Sequence, residues 1–108
     1  GKPINRYQAI QTKLAEMATD YEAAVHLVRY AAWCHDAGAP HHKEAAMAKL
    51  FATEAAARIC DQAARVLASY GYATEFPVER YLRDVRFTLI GGGTSEILKL
   101  MIAKETSR

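Results

Sequence analysis

The sequence predicts an all-α protein, most simply an up-and-down four-helix bundle of two long and two short helices. Three observations carry this prediction. Apolar residues recur at spacings of three and four over two long segments, as they do on one face of a helix. Glycine and proline fall between the periodic segments, where they end helices. No stretch alternates apolar and polar residues as a half-buried strand does.

The first long helix is predicted from about Ile4 to Ala37. Gly38 can cap its carboxyl end, and Pro40 cannot continue a helix. The predicted apolar stripe consists of Ile10, Leu14, Met17, Tyr21, Val25, Val28 and Ala32.

The second long helix is predicted from about His42 to Ser69, where Gly71 interrupts it. Its predicted stripe consists of Met47, Phe51, Ala55, Ile59, Ala63 and Val66. Each long helix would measure roughly 40–50 Å, which indicates a rod-shaped antiparallel bundle. Alanines on both stripes would let the helix axes approach closely.

Two short helices complete the prediction. The third, from about Val78 to Leu89, follows a connector that contains Pro77. The fourth runs from Thr94 to about Glu105, with Ile97, Leu98, Met101 and Ile102 expected to be buried.

Composition and charge exclude several classes of protein. The 108 residues carry a formal net charge of +2. They contain no run of lysine and arginine that would indicate a nucleic-acid partner. No apolar stretch approaches the ~20 residues of a membrane span. Cys34 and Cys60 are expected to be reduced thiols, in the cytoplasm or, in a eukaryote, the mitochondrial matrix. The absence of an initiator methionine suggests a cut inside a longer protein.

The segment "CHDAGAPHH" contains several potential metal ligands. Cys34 and His35 are adjacent and point in different directions on a helix, and no paired C-x-x-C or H-x-x-x-H spacing is present. We therefore predict no metal site there.

Residues 91–93 are three consecutive glycines in front of a helix. Thr94 is a suitable N-cap, and the first N–H groups of the helix lack intrahelical partners, so the segment could hold an anion. The spacing is not that of a dinucleotide-binding fingerprint, and the segment follows a helix instead of a strand. From the residues alone, a simple turn is the preferred interpretation.

Longer motifs resemble a known family. The strings "EFPVERYLRD" (75–84) and "GTSEI" (93–97), together with "QAIQTKLAEMATDYEAAVHLVRYAAW" (8–33), resemble the C-terminal domain of the acyl-CoA dehydrogenases over nearly the whole chain. The resemblance implies that residues 1–108 are the last part of a longer three-domain protein. It also implies FAD-dependent α,β-desaturation of an acyl-CoA, electron-transfer flavoprotein as electron acceptor, and a tetramer.

The resemblance assigns cofactor contacts residue by residue. Tyr7 and Gln8 match the pair that contacts the FAD of the adjacent subunit. Thr94 and Glu96 match positions that approach the adenosine diphosphate part of FAD.

Gly92 and Gly93 match positions beside the substrate thioester, and here the sequence departs from many members. Those members carry the catalytic glutamate where this chain has Gly92, and a hydrogen side chain cannot accept a proton. Isovaleryl-CoA and long-chain dehydrogenases look similar at this loop and take their base from an earlier helix. The base is therefore expected outside this chain, which alone should be inactive. A base-less subunit of a heteromeric enzyme and a non-catalytic helical oligomerisation module remain alternatives.

A second departure lies at the end of the second helix. The family commonly has Q-x-x-G-G-x-G where this chain has "RVLASYG", so Arg65, Ala68 and Ser69 replace the glutamine and the paired glycines. Arg65 and Ser69 are candidate FAD contacts. Arg65 could meet a phosphate as a charged donor, or lie exposed without such a role.

Overall fold

The computed structural model describes residues 1–107. Its α-helices are α1 (Gln8–Asp36), α2 (His42–Leu67), α3 (Val78–Thr88) and α4 (Ser95–Thr106). Short 3-10 helices lie at Ile4–Arg6 and Ala68–Gly71, and this part of the chain contains no strand. The prediction of an all-α fold with two long and two short helices is confirmed.

The long helices are shorter than predicted at one end each. The backbone is extended at Tyr7 (φ −93°, ψ 132°), so α1 begins at Gln8 instead of near Ile4. Ala68 takes φ 50° and ψ −124°, a conformation that no helix contains, and α2 therefore ends at Leu67.

α1 and α2 form an antiparallel pair. Lys13 Nζ donates to Gln62 Oε1 (2.9 Å), and further along the pair Arg58 Nε donates to Asp20 Oδ2 (2.9 Å). The hydrogen bond from Arg58 to Asp20 raises the pKa of the guanidinium above its usual value. The resulting molecule is elongated, with principal dimensions of 57 × 24 × 24 Å.

α2 is the central helix, since α1, α3 and α4 all pack against it. The start of α3 lies near Gly71, and its last carbonyl, at Thr88, reaches Lys49. α4 continues in the same direction, from Ser95 beside Glu54 towards the first turn of α2. The glycine segment 91–93 therefore joins two short helices that run back along α2 one after the other.

The core is built mostly from small side chains. The buried apolar residues are Cys34, Ala46, Ala48, Ala55, Val85 and Leu98. Three of the six are alanines of α2, and their small size allows the neighbouring helices to approach its axis closely.

Part of the predicted core is wrong. Leu14, Tyr21 and Val28 of the predicted α1 stripe are exposed, Tyr21 by 60%. In α4, Leu98 is buried, but Ile97 and Met101 are 51% and 45% exposed. Their exposure fits a fold in which α2 is the only α-helix, among the described residues, that packs extensively on α1 or α4.

Candidate functional site

The glycine segment and the start of α4 form a loop that is called the glycine loop below (residues 91–96). Gly92 and Gly93 have φ values of +70° and +102°, which favour glycine over every residue with a Cβ. Thr94 is the N-cap of α4, and its Oγ1 accepts the N–H of Ile97 at 3.3 Å. The predicted cap is confirmed, and the glycines are explained by the backbone that the loop requires.

Two side chains of α2 hold this loop. Lys49 Nζ donates to the carbonyl oxygens of Thr88 (2.8 Å) and Gly93 (2.6 Å). Glu54 Oε1 accepts the hydroxyl of the buried Ser95 at 2.7 Å. The ammonium thus meets the carboxyl end of α3, and the carboxylate meets the amino end of α4, in agreement with the partial charges of helix ends.

Sequence reasoning missed both Lys49 and Glu54. The available signal was their position in an alanine-rich helix, near the buried Ala48 and Ala55, where an unpaired charge would be costly. The partners of the two residues could not be read from the sequence, since they lie about 40 positions further along the chain.

The loop presents backbone N–H groups to its surroundings. Within residues 1–107, the N–H groups of Gly92, Gly93, Thr94, Ser95 and Glu96 donate no hydrogen bond to the protein. Such amides at a helix start, combined with the helix dipole, can receive a phosphate or a carbonyl oxygen.

The loop offers space but carries no proton acceptor at Gly92. A Cβ built on Gly92 would meet nothing within 4 Å, and one on Gly93 would meet only Leu98, at 3.6 Å. The Glu96 side chain is exposed on the first turn of α4. The outer side of the loop is thus open to a ligand that approaches the backbone.

The other predicted cofactor residues lie at the end of the long pair where α1 begins and α2 finishes. Tyr7 is half-exposed, with Lys2 Nζ 4.5 Å from its ring centroid, and Gln8 is exposed. Arg65 is exposed and donates through Nε to Asp61 Oδ2 at 2.7 Å. Ser69 is exposed in the 3-10 turn that follows α2.

The predicted site residues therefore fall into two groups. Along α2, Glu54 lies beside the first group and Arg65 belongs to the second. These two residues are separated along the helix axis by roughly 16 Å, at ~1.5 Å per helical residue. Arg65 is also partly neutralised by Asp61, although its terminal nitrogens remain available as donors.

The histidines near the α1–α2 turn contact one another. His35 Nδ1 and His41 Nε2 are 3.2 Å apart, and His41 Nδ1 lies 3.0 Å from the carbonyl oxygen of Ala39. Across residues 1–107, no three His, Cys, Asp or Glu side chains are grouped so that they could hold a metal ion.

Residues 1–106 match the family model described as "Acyl-CoA dehydrogenase, C-terminal domain". The chain therefore belongs to the acyl-CoA dehydrogenase family, and the resemblance predicted from its motifs is confirmed.

Individual relatives agree with this assignment. The chain is 79% identical over 107 residues to a benzylmalonyl-CoA dehydrogenase of Aromatoleum aromaticum, covering 99% of this chain and 28% of that protein. It superposes on the butyryl-CoA dehydrogenase of Megasphaera elsdenii with a TM-score of 0.98 and 38% identity, covering 100% of this chain and 28% of that one. An FAD complex of PigA matches with a TM-score of 0.96 and 26% identity over 99% of this chain and 28% of that chain.

The chain thus spans little more than a quarter of the length of these relatives. None of the helices among the described residues is long and apolar enough to cross a membrane.

Proposed function

We propose that this chain is the C-terminal domain of an FAD-dependent enzyme that forms a double bond between the α and β carbons of an acyl-CoA thioester. The match of residues 1–106 to the family's C-terminal domain carries this proposal. Bound FAD would supply the acceptor for the hydride that leaves the β carbon. Residues 1–108 would be the last of three domains in the full-length protein.

The glycine loop would bind both cofactor and substrate. The free N–H groups and open surface of the loop fit an anionic or carbonyl ligand, so Thr94 and Glu96 are the proposed contacts to the adenosine diphosphate part of FAD. Gly92 and Gly93 would lie beside the thioester, where the absence of side chains leaves room for it.

The second group would contact the FAD of an adjacent subunit. Tyr7 and Gln8 are the proposed contacts at the start of α1, and Arg65 and Ser69 those at the end of α2. Their distance from the glycine loop supports two separate contacts better than one compact site.

The proposed assembly is a homotetramer, or a heterotetramer of related subunits, that passes electrons to electron-transfer flavoprotein. Large apolar side chains on the surface, such as Tyr21, Trp33 and Leu100, support burial against other parts of the protein or other subunits. The two free thiols fit a reducing compartment, the cytoplasm or the mitochondrial matrix.

Gly92 raises the question of how the α carbon becomes a carbanion. One solution is a glutamate from an earlier helix of the full-length protein. A second candidate reaction is favoured by the 79% identity to a benzylmalonyl-CoA dehydrogenase, because a malonyl thioester carries a carboxylate on its α carbon. When that C–C bond breaks, CO₂ leaves and its electron pair stays on the α carbon. Hydride loss from the β carbon then completes the double bond without any base.

A pair of substrates separates these mechanisms in the full-length flavoprotein. Benzylmalonyl-CoA and 3-phenylpropanoyl-CoA differ only in the α-carboxylate, so each is added without oxygen while flavin absorption and CO₂ are measured. The decarboxylating reaction predicts flavin reduction by the first substrate alone, with one CO₂ per flavin. Reduction by both substrates would instead assign an external base.

The same assay tests the broader proposal. If neither these thioesters nor saturated acyl-CoAs of other lengths reduce the flavin, the desaturase activity is refuted for a homomeric enzyme. Activity that returns on addition of a glutamate-bearing paralogue would identify a base-less subunit. Residues 1–108 alone, mixed with FAD and either thioester, should leave the flavin oxidised, and no activity in any form would favour an oligomerisation module.

A further inference from the structure

Lys49 has an unusual set of partners for a lysine in a helix. It is half-buried, and its ammonium group donates to two backbone carbonyl oxygens, those of Thr88 and Gly93. Among the described residues, no carboxylate lies within ion-pair distance of Lys49. Its charge is met instead by the carboxyl end of α3, where unsatisfied carbonyls carry partial negative charge.

The two carbonyls stand on either side of residues 89–92, so one ammonium group closes this segment into a fixed bend. Gly92 and Gly93 contribute little rigidity of their own, because glycine has the widest choice of backbone conformations. The Ser95–Glu54 hydrogen bond fixes the start of α4 independently. Loss of Lys49 should therefore loosen the segment before Thr94 and leave α4 in place.

The two hydrogen bonds that Lys49 donates to Thr88 and Gly93, called the clamp below, also set the direction of the Thr94 amide. The peptide between Gly93 and Thr94 is planar and trans, so its C=O and N–H point in opposite directions. Because Lys49 Nζ holds the Gly93 carbonyl, the N–H of Thr94 points away from that ammonium group. This N–H donates to no acceptor among the described residues, and the nearby Gly92 is exposed, with nothing within 4 Å of an added Cβ.

We infer that Lys49 is a positioning residue for acyl-CoA turnover, which it supports by fixing the orientation of the glycine loop while touching neither substrate nor flavin. This inference rests on the proposed function for the reaction that the loop serves. Its structural part, the clamp on the loop, stands independently of any substrate.

The kinetic test uses two variants of the full-length flavoprotein. Lys49→Met keeps the length of the side chain and removes its N–H donors. Lys49→Arg keeps a cation that can donate to both carbonyls. Lys13→Met is the matched control, since Lys13 is also part-buried and donates to Gln62, away from the loop. A misplaced loop should lower kcat by about 10-fold to 100-fold in Lys49→Met, with KM changed less than about 3-fold.

Lys49→Arg should recover most of the lost kcat, and Lys13→Met should keep the wild-type value. Two results would overturn the inference: a Lys49→Met enzyme with kcat within about 2-fold of wild type, or an equal loss of kcat in Lys13→Met. If Lys49→Met does not retain flavin, Lys49→Leu, which also removes the donors, is compared with Lys13→Leu on the same terms.

Hydrogen exchange tests the clamp without turnover. The N–H groups of Ile90 and Gly91 both donate to the carbonyl of Phe87, at 3.0 and 2.8 Å, so they report on the end of α3. Exchange in a peptide covering residues 86–94 should accelerate roughly 10-fold in Lys49→Met and remain unchanged in Lys13→Met. Unchanged exchange in Lys49→Met would refute the clamp, whereas an inactive wild-type enzyme would refute only the proposed reaction.

Discussion

Two turns of this chain contain glycine, and they use it in different ways. In the glycine loop, Gly92 and Gly93 take positive φ values, and the space around Gly92 is open. In the turn at Ala68–Gly71, Gly71 is buried against α2, and a Cβ there would lie 2.5 Å from the carbonyl oxygen of Ala64. One turn needs glycine for its backbone conformation and the other needs it for close packing.

Ala68 shows what happens when one of these glycines is absent. Its φ of 50° with ψ of −124° is a conformation that suits glycine, although the residue carries a Cβ. The backbone is therefore strained at Ala68. The substitutions below separate packing, backbone strain and open space.

The largest effect is expected at Gly71. Gly71→Ala places a methyl group against backbone atoms of Ala64 that cannot rotate away, and it should lower the free energy of unfolding by about 3 kcal/mol. Chemical denaturation of the full-length protein measures this change. Gly38→Ala is the control, because Gly38 has a positive φ but nothing within 4 Å of an added Cβ. Equal losses in the two variants would show that packing is not what distinguishes Gly71.

Relief of strain is expected at Ala68. Ala68→Gly removes the Cβ that opposes the positive φ, and it should raise the free energy of unfolding by about 1 kcal/mol after the entropy of glycine in the unfolded chain is subtracted. Ser69→Gly provides the comparison. Ser69 does not have a positive φ, so glycine there relieves no strain and only increases the conformational entropy of the unfolded chain. A lower melting temperature for Ala68→Gly than for wild type would contradict the strain.

A smaller loss is expected at Gly92. Gly92→Ala introduces strain at φ +70° without a clash, so the free energy of unfolding should fall by less than ~1 kcal/mol. Thermal unfolding of the full-length protein measures the change. A loss as large as that of Gly71→Ala would mean that the outer side of the loop is filled in the intact protein.

The smallest effect concerns Cys60, which lies on α2 between the two turns. Partial burial raises the pKa of its thiol above the usual value. The thiol therefore contributes stability below the ordinary cysteine pKa, and this contribution is lost as the pH rises through the raised value. Between neutral and alkaline pH, wild type should lose slightly more stability than Cys60→Ala. Identical pH dependence of the two proteins would contradict the shift.

The sequence was most informative where local chemistry decides the structure. Thr94 could be recognised as an N-cap because a cap depends on residues within one turn, and Gly71 marked the end of α2 within a few residues. The prediction that Leu14 and Tyr21 of α1 lie in the core was wrong, because periodicity identifies an apolar face without identifying what covers it.

The attachment of the glycine loop required the tertiary structure. A lysine in the middle of a helix usually lies in solvent, and only the return of α3 and α4 along α2 brings Thr88 and Gly93 to Lys49. The absence of a proton acceptor at Gly92, in contrast, was visible from the sequence as soon as the family motif was recognised.

A crystal structure of the full-length flavoprotein with a bound, non-reacting acyl-CoA thioether analogue would test the central claim most directly. We predict that Gly92 and Gly93 contact the analogue at the position of the thioester, with the amino end of α4 directed at the flavin nucleotide. A glycine loop that faces bulk solvent, remote from both the nucleotide and the analogue, would contradict the account.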